Sequence, residues 1–157
     1  MIAVVQRVSS AVVSVDKRTV GSIGQGFVVF LGVAQGDTEK DADYLSNKII
    51  NLRIFEDSNG KMNLSLLDIS GEMLVVSQFT ILADCRKGRR PSFIDAAGFE
   101  EADQLYEYFV KRTRRHIEKV ATGQFRAMME VDLVNSGPVT MILESTKKTG
   151  GDYEHKR

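Results

Sequence analysis

The sequence predicts an α+β domain in which a mainly antiparallel, barrel-like β-sheet forms the core and two helices lie outside it. Three observations predict this class. Short segments rich in β-branched residues recur along the chain, two longer segments carry helical periodicity, and turn-forming residues separate neighbouring strands. The elements follow in the order β-β-β-α-β-β-β-α-β-β, without an internal repeat or a linker. We therefore predict one domain over residues 1–146 and a polar, flexible tail over residues 147–157.

Composition narrows the class of protein. The chain has 157 residues, enough to bury about 68–70% of its unfolded surface in one domain. Cys85 is the only cysteine, which excludes an intrachain disulfide framework and is typical of a reducing cytosol. No apolar run reaches the roughly 18 residues of a membrane span, and the N-terminus lacks a signal-peptide pattern. Lys plus Arg and Asp plus Glu both number 21, so overall charge does not indicate a nucleic-acid partner. We expect a cytoplasmic protein.

The first third of the chain reads as strands. Ile2–Val8 and Ala11–Val15 are rich in β-branched residues, and Thr19–Ile23 follows after a polar turn, which predicts a first hairpin. Phe27–Val33 is continuously apolar, as expected for a strand that is buried on both faces.

A helix and a second hairpin follow. Thr38 suits the N-cap of the first helix. The apolar face of that helix consists of Ala42, Leu45, Ile49 and Leu52. Asn59-Gly60 then indicates a hairpin between Arg53–Glu56 and Met62–Leu66. Glu72–Phe79 is predicted to be another buried strand.

The longest predicted helix runs from Glu100 to about Ala121. Its buried stripe consists of Ala102, Leu105, Tyr106, Phe109, Thr113, Ile117 and Val120. Acidic residues open the helix and basic residues close it, as the helix dipole favours, and Gly123 suits the C′ position. Met129–Val134 and Val139–Leu143 are predicted to be the last two strands.

The segment Asn135–Thr140 between those strands allows two interpretations. It contains one of only two prolines, and proline cannot donate to a β ladder, so it marks an edge, a bulge or a turn. Glycine precedes the proline, and the cis form of such a bond costs only about 0.5–1 kcal/mol. A hairpin turn is the simpler interpretation. The other is a rigid backbone feature that presents carbonyls and amides to a ligand.

Two polar segments are candidates for function. The segment Ser77-Gln78-Phe79-Thr80 is the end of a buried strand. In one interpretation the strand simply runs out into solvent. In the other, backbone amides and hydroxyls at the strand end form a pocket, and the amides hold a developing oxyanion. A basic loop follows. Its cations, Arg86, Lys87, Arg89 and Arg90, either form a solvated loop or contact the phosphates of RNA.

Residues for the common nucleophile–base and metal chemistries are scarce. His116 and His155 are the only histidines, so neither a Ser-His-Asp triad nor a histidine metal site is indicated. Cys85 lacks the local signature of a catalytic thiol, and no Gly-rich phosphate fingerprint follows a strand. We expect no metal and no cofactor.

Three motifs together resemble the D-aminoacyl-tRNA deacylase family: Gln6-Arg7-Val8, Ser77–Thr80 and Asn135–Thr140. The resemblance extends from Met1 to about Ser145 and implies a D-aminoacyl-tRNA deacylase-like fold. It implies a cytosolic, homodimeric esterase that removes D-amino acids, and glycine mischarged on alanine tRNA, from the 3′ end of tRNA. It implies no DNA or membrane partner.

The resemblance also implies roles for particular residues. Gly137-Pro138 would form a cis peptide that enters the pocket of the partner subunit and leaves no room for an L side chain. Arg7 would help to fix that peptide across the dimer. This arrangement implies broad tolerance of D side chains that point to solvent.

The same resemblance places the chemistry at the Ser77–Thr80 segment. Phe79 would shape the pocket, with Ser77 and Gln78 beside it, and Thr80 occupies the position often assigned as the nucleophile. A threonine hydroxyl needs an adjacent base, and the sequence supplies no obvious one. In the alternative, the terminal ribose 2′-hydroxyl assists while the amides around Phe79 and Thr80 stabilise the oxyanion.

The chain departs from the family pattern at two positions. Arg126 stands where members usually have glycine, and Ser136 stands where they often have aspartate. Both changes leave Gly137-Pro138 intact, so they bear on substrate range. Two other functions remain open: a noncatalytic tRNA-binding module on the same fold, and an editing domain that clears an L-amino acid.

Overall fold

The succession of strands and helices agrees with the predicted order, but the two last predicted strands form one strand, Glu130–Glu144, and Val120–Thr122 is a strand that was not predicted. The computed structural model describes residues 1–145, so the predicted tail at 147–157 lies outside the described residues. The strands are β1 (Ile2–Val15), β2 (Arg18–Ile23), β3 (Gly26–Gly32), β4 (Phe55–Glu56), β5 (Met62–Leu64), β6 (Glu72–Ser77), β7 (Val120–Thr122) and β8 (Glu130–Glu144). The helices are α1 (Glu39–Ile50) and α2 (Phe99–Thr113), and a 3-10 helix spans Phe79–Leu82.

β1 is the central strand of the sheet. It is continuous over 14 residues, where the sequence predicted the two strands Ile2–Val8 and Ala11–Val15. Its first half pairs with β3, its second half pairs with β2, and β8 runs antiparallel beside both halves. Exposed Ser9 and Ser10 interrupt the apolar alternation between the halves, but pairing continues because Ser10 lies opposite Val134 of β8. The predicted break was therefore wrong.

The sheet is mixed and nearly closed. β1 pairs antiparallel with its neighbours, whereas β3, β6 and β7 pair in parallel through the crossovers that contain α1 and α2. β2 approaches β7 so closely that a Cβ on Gly21 would lie 2.6 Å from the carbonyl oxygen of Thr122. This arrangement confirms the predicted α+β class with a barrel-like sheet and two helices outside it.

A hydrophobic core lies on each face of the sheet. Phe27, Val29 and Val75 face the helices, and Val28 and Leu74 face the opposite side with the second half of β1. All five are fully buried. This two-sided burial explains why β3 and β6 read as continuous apolar runs.

α1 forms as predicted. Thr38 is its N-cap, and the Thr38 N–H donates to Oδ2 of Asp41 at 2.8 Å. Ala42, Leu45 and Ile49 are fully buried on the predicted face. Leu52 is half-buried and lies beyond the end of the helix.

α2 ends at Thr113, well before the predicted end near Ala121. Arg114 is the C-cap, and the chain then leaves the helical path, so Gly123 does not occupy a C′ position. Ile117 and Val120 are buried as the helical stripe required, but Val120 begins β7 and pairs with Met73 of β6. The helical spacing therefore gave the correct burial of Ile117 and Val120 but the wrong element, because Val120 is buried in a parallel strand.

The hairpin-turn interpretation of Asn135–Thr140 is wrong, because β8 continues through this segment. The register with β1 shifts on either side of Val8, which makes the segment a bulge in a long strand. The Asn135 side-chain amide donates to the carbonyl oxygens of Arg7 and Val139, at 3.0 Å each. The bond to Arg7 joins β8 to β1 where Pro138 cannot donate, and the bond to Val139 closes the bulge within β8. The Gly137–Pro138 peptide bond is cis.

Candidate active site

The predicted Ser77–Thr80 segment lies where β6 ends. The strand stops at Ser77, and Phe79 and Thr80 open the 3-10 helix instead of continuing the strand. β3 and β6 are parallel, so their carboxyl ends meet at this edge, where the Gln78 N–H donates to the Leu31 carbonyl at 2.8 Å. On the helix side, the Tyr106 hydroxyl donates to the Val75 carbonyl at 2.9 Å. The segment is therefore held by the sheet and by α2.

The four residues of this segment line a cavity of about 590 Å³. Phe93, Phe99 and the segment 125–129 form its other walls, and most of the lining is apolar. The rings of Phe79 and Phe93 meet edge to face with their centroids 5.1 Å apart, and 46% of Phe79 is exposed. The cavity thus opens to solvent past an aromatic rim.

Thr80 has no general base among the residues that line the cavity. Those residues include no histidine, carboxylate or lysine. The contact that the Thr80 hydroxyl makes is with the side-chain amide of Gln78, which donates to it. By contrast, the amides of Phe79 and Thr80 lie in the first turn of the 3-10 helix, where N–H groups lack partners within the helix. The segment can supply hydrogen-bond donors to an oxyanion more readily than it can supply a nucleophile.

Arg7 fixes the backbone beside Gly137. Only 8% of Arg7 is exposed, and its guanidinium donates to the carbonyls of Ile54 at 2.6 Å and Ser136 at 3.2 Å. A charged donor that binds two carbonyls in a buried position orients them strongly. Arg7 therefore joins the bulge of β8 to the segment that precedes β4.

Gly137 and Pro138 are exposed and lie apart from the cavity of their own chain. Neither residue lines the 590 Å³ cavity, and neither does Arg7. Arg7 and Ser136 instead line a second cavity of about 310 Å³. The structure thus brings the predicted catalytic segment into one cavity and leaves the predicted selectivity residues outside that cavity.

Residues 4–144 match the sequence profile of the family described as D-Tyr-tRNA(Tyr) deacylase. The chain belongs to this deacylase family. It is 63% identical over 145 residues to a D-aminoacyl-tRNA deacylase of Dehalococcoides mccartyi, a match that covers 92% of this chain and 95% of that protein. It is 59% identical over 148 residues to the D-aminoacyl-tRNA deacylase of Thermosipho melanesiensis, with 94% and 99% covered.

The fold of this deacylase-family chain is also similar to a solved structure. That structure is named c-Myc DNA Unwinding Element Binding Protein and superposes with a TM-score of 0.89 at 42% identity. The match covers 94% of this chain and all of the other chain. No helix within residues 1–145 is long and apolar enough to cross a membrane.

The basic loop of the deacylase-family chain lies close to the mouth of the cavity. Asp84 and Ser92 pair across the base of the loop, and Phe93 of the rim follows directly. The Arg86 guanidinium binds the Asp84 carboxylate with two contacts of 2.8 Å, and this hydrogen bonding lowers the pKa of Asp84. The remaining predicted cations, Lys87, Arg89 and Arg90, are exposed and form no ion pair with residues 1–145.

Sequence reasoning missed three aromatic residues that line this cavity of the deacylase-family chain. Phe93 lies in a loop, Phe99 begins α2 and Phe125 precedes β8, so no local pattern connects them. The sign that marks Phe99 is structural, since 54% of this large apolar side chain is exposed at the start of α2. Only the tertiary fold brings the three rings to one cavity.

Proposed function

We propose that this protein hydrolyses the ester bond of D-aminoacyl-tRNA and releases a free D-amino acid and tRNA. The observation that carries the proposal is the 63% identity, over 92% of the chain, to a relative with that name. The 590 Å³ cavity beside Ser77–Thr80 supplies a place for the aminoacyl ester. The reaction consumes one water and needs no cofactor.

The proposed chemistry relies on amides and on the substrate. The amides of Phe79 and Thr80 open the 3-10 helix at the cavity wall, where they can donate to the oxyanion of the tetrahedral intermediate. One such donor typically contributes roughly 10²–10³ in kcat. The substrate's own 2′-hydroxyl lies next to the ester and assists the attack of water, because the cavity walls supply no base.

Selection against L-amino acids is proposed to come from a second copy of the chain. Gly137 and Pro138 are exposed on β8 and do not line the cavity of their own chain, and this exposure supports the proposal that they enter the cavity of a partner. There the main chain of Gly137-Pro138 would contact the α-amino side of the substrate and exclude an L side chain. A D side chain would point to solvent. Glycine has no side chain to exclude, so glycine mischarged on alanine tRNA is also a substrate.

The edge strand β8 supports the proposed homodimer. Within residues 1–145 it pairs only with β1, which leaves its other edge open. Large apolar side chains are exposed along it, with 56% of Val134 and 71% of Ile142 accessible. Such an edge favours association with another chain. Arg7 would hold Gly137 in the position that crosses to the partner.

The proposed contact with tRNA includes the basic loop. Lys87, Arg89 and Arg90 are exposed beside the Phe93 rim, where they can bind phosphates of the acceptor end. The proposed site of action is the cytoplasm, where aminoacyl-tRNA is used in translation.

The decisive experiment compares D-tyrosyl-tRNA with L-tyrosyl-tRNA as substrates of the purified protein. We expect rapid release of D-tyrosine and negligible release of L-tyrosine. Equal rates on both, or no hydrolysis of the D form, contradict the proposal. Retention of tRNA without hydrolysis would instead assign a noncatalytic binding module, and preferential hydrolysis of the L form would assign an L-specific editing domain.

The dimer is tested separately by light scattering. We expect the mass of two chains at the concentrations used for the assay. A monomer mass with full activity and full selectivity contradicts the cross-subunit site.

A further inference from the structure

The 590 Å³ cavity contains one charged side chain. Among the described residues that line it, Arg126 alone is ionised at neutral pH, and the others are apolar residues, Ser77, Gln78 and Thr80. A guanidinium in otherwise uncharged walls adds a local positive potential at the part of the wall that Arg126 forms. An anionic part of the ligand is attracted towards Arg126, and a cationic part is directed away from it.

Arg126 is positioned at the cavity wall by the ring of Phe99. Its Cζ atom lies 4.1 Å from the ring centroid, which is within the range of a cation–π contact. Within residues 1–145, Arg126 forms no ion pair with a carboxylate. Stacking occupies the face of the guanidinium and leaves its N–H edge available, and this edge matches the oxygens of a phosphate.

The backbone at Arg126 is unusual for a side chain of this size. Its φ angle is +62°, in the left-handed region that favours glycine. Arginine at this position therefore brings a cation to the cavity wall at a conformational cost, and glycine at the same position would relieve that cost. This makes Arg126→Gly a substitution that the fold accepts.

We propose that Arg126 binds the phosphodiester of the terminal nucleotide of tRNA and thereby holds the substrate at the cavity. The inference rests on the proposed function. The substrate carries an α-ammonium on one side of the ester and the phosphodiester on the other, so the cation attracts one end and repels the other. A carboxylate on a D-amino-acid side chain is another possible anion. Only D-aspartyl and D-glutamyl groups have one, whereas every aminoacyl-tRNA carries the phosphodiester.

The first experiment measures hydrolysis of D-tyrosyl-tRNA by wild type and Arg126→Gly over a range of KCl concentrations. We expect the variant to raise KM roughly fivefold with kcat little changed, because the phosphate contact is present in both the ground state and the transition state. The slope of log kcat/KM against log salt should become shallower by about 0.7, the value for one single-strand phosphate contact. Arg126→Lys keeps the charge and should restore most of the slope.

Lys17→Gly is the matched control. Lys17 is also an exposed cation, its φ angle is also +62°, and it does not line the cavity. Its removal changes the net charge by the same amount and should leave KM and the salt slope as in wild type. An equal effect of both substitutions would overturn the proposal, because it would trace the change to net charge.

The second experiment uses two small substrates, the D-tyrosyl ester of adenosine and the D-tyrosyl ester of adenosine 5′-phosphate. We expect wild type to prefer the phosphorylated ester and Arg126→Gly to treat both alike. An equal loss on both esters overturns the proposal. So does a loss on D-aspartyl-tRNA together with a gain on D-lysyl-tRNA, which would assign Arg126 to the amino-acid side chain. Failure of wild type to hydrolyse D-tyrosyl-tRNA at all would instead contradict the proposed function.

Discussion

Gly137 lies so close to Arg7 that a β-carbon at this position would be 2.6 Å from Nη2 of the guanidinium. Arg7 cannot move away without cost, because the carbonyls of Ile54 and Ser136 hold it. The φ angle of Gly137 is +116°, which also disfavours any side chain. Glycine is therefore required here both by its backbone conformation and by its neighbour.

Gly137→Ala is expected to destabilise the protein by roughly 2 kcal/mol and to lower D-tyrosyl-tRNA hydrolysis, because it adds a clash with Arg7 to the backbone strain. Gly36→Ala is the matched control. The φ angle of Gly36 is +80°, but a β-carbon at Gly36 would meet no neighbouring atom within 4 Å. Thermal unfolding and single-turnover assays of both variants give the comparison. Equal losses of stability and activity would show that the contact with Arg7 contributes nothing.

Thr80→Val should remain an active enzyme. The substitution keeps the shape of the side chain and removes the hydroxyl, which has no base beside it in the cavity. We expect kcat to fall by less than about tenfold, whereas loss of a covalent nucleophile typically costs several orders of magnitude. D-Tyrosyl-tRNA that ends in 2′-deoxyadenosine should lose far more with the wild-type enzyme. A collapse of kcat in Thr80→Val with full activity on the deoxy substrate would assign Thr80 as the nucleophile.

Asp37→Asn should lower stability without changing turnover. Oδ1 of Asp37 lies 2.6 Å from the α-ammonium of Met1, which also donates to the Ser145 hydroxyl, and only 8% of the Asp37 side chain is exposed in this partly buried contact. Its other oxygen accepts the Ala34 N–H at 2.6 Å. Loss of one partner of a buried ion pair costs about 3 kcal/mol. Asp43→Asn breaks the exposed pair with Arg112 and should cost less than about 1 kcal/mol.

Urea unfolding and steady-state assays of the two aspartate variants test this expectation. Similar losses of stability in both would contradict the assignment of the Met1–Asp37 pair as a buried structural contact.

The carboxyl group of Glu72 makes the free energy of unfolding depend on pH. The Gly24 N–H donates to Oε2 of Glu72 at 2.7 Å and Lys119 lies 3.0 Å from the same atom, and these contacts lower the pKa of Glu72 below 4.5. A carboxyl with a lowered folded-state pKa adds stability above its unfolded pKa and loses it as pH falls through the folded pKa. We therefore expect Glu72→Gln to be less stable than wild type at pH 7, and the difference to shrink below about pH 4.5.

The measurement for Glu72 is the free energy of unfolding from urea titrations at pH 7 and at acidic pH. A difference between wild type and Glu72→Gln that stays constant with pH would show that the loss comes from packing and not from charge.

The elements that could be predicted are those in which the apolar spacing of the sequence matches the burial seen in the structure. α1 has a cap and three fully buried residues of its apolar stripe, Ala42, Leu45 and Ile49, and β3 is apolar because both of its faces are covered. α2 was predicted too long because Ile117 and Val120 keep the helical spacing after the helix has ended. Apolar spacing shows that residues are buried, but it does not show whether they belong to a helix or to the strand that follows.

The candidate site also has a part that the sequence predicted and a part that it did not. Ser77–Thr80 is contiguous, so its place at the end of a strand could be predicted, although the strand ends at Ser77 and the remaining residues turn away from it. The turn at Asn135–Thr140 was wrong because the side chain of Asn135 supplies the bonds that the backbone at Pro138 lacks. The spacing of apolar residues does not reveal a hydrogen bond that a side chain makes in place of the backbone.

The absence of Gly137 and Pro138 from the lining of their own chain's cavity has a consequence for dosage in the proposed dimer. If each active site takes its walls from one chain and its stereochemical filter from another, the number of complete sites rises with the square of chain concentration below the dimer dissociation constant. Halving the amount of protein in that range would then leave about one quarter of the sites. A modest fall in expression would weaken proofreading more than proportionally, and overproduction would bring progressively smaller returns as the dimer saturates.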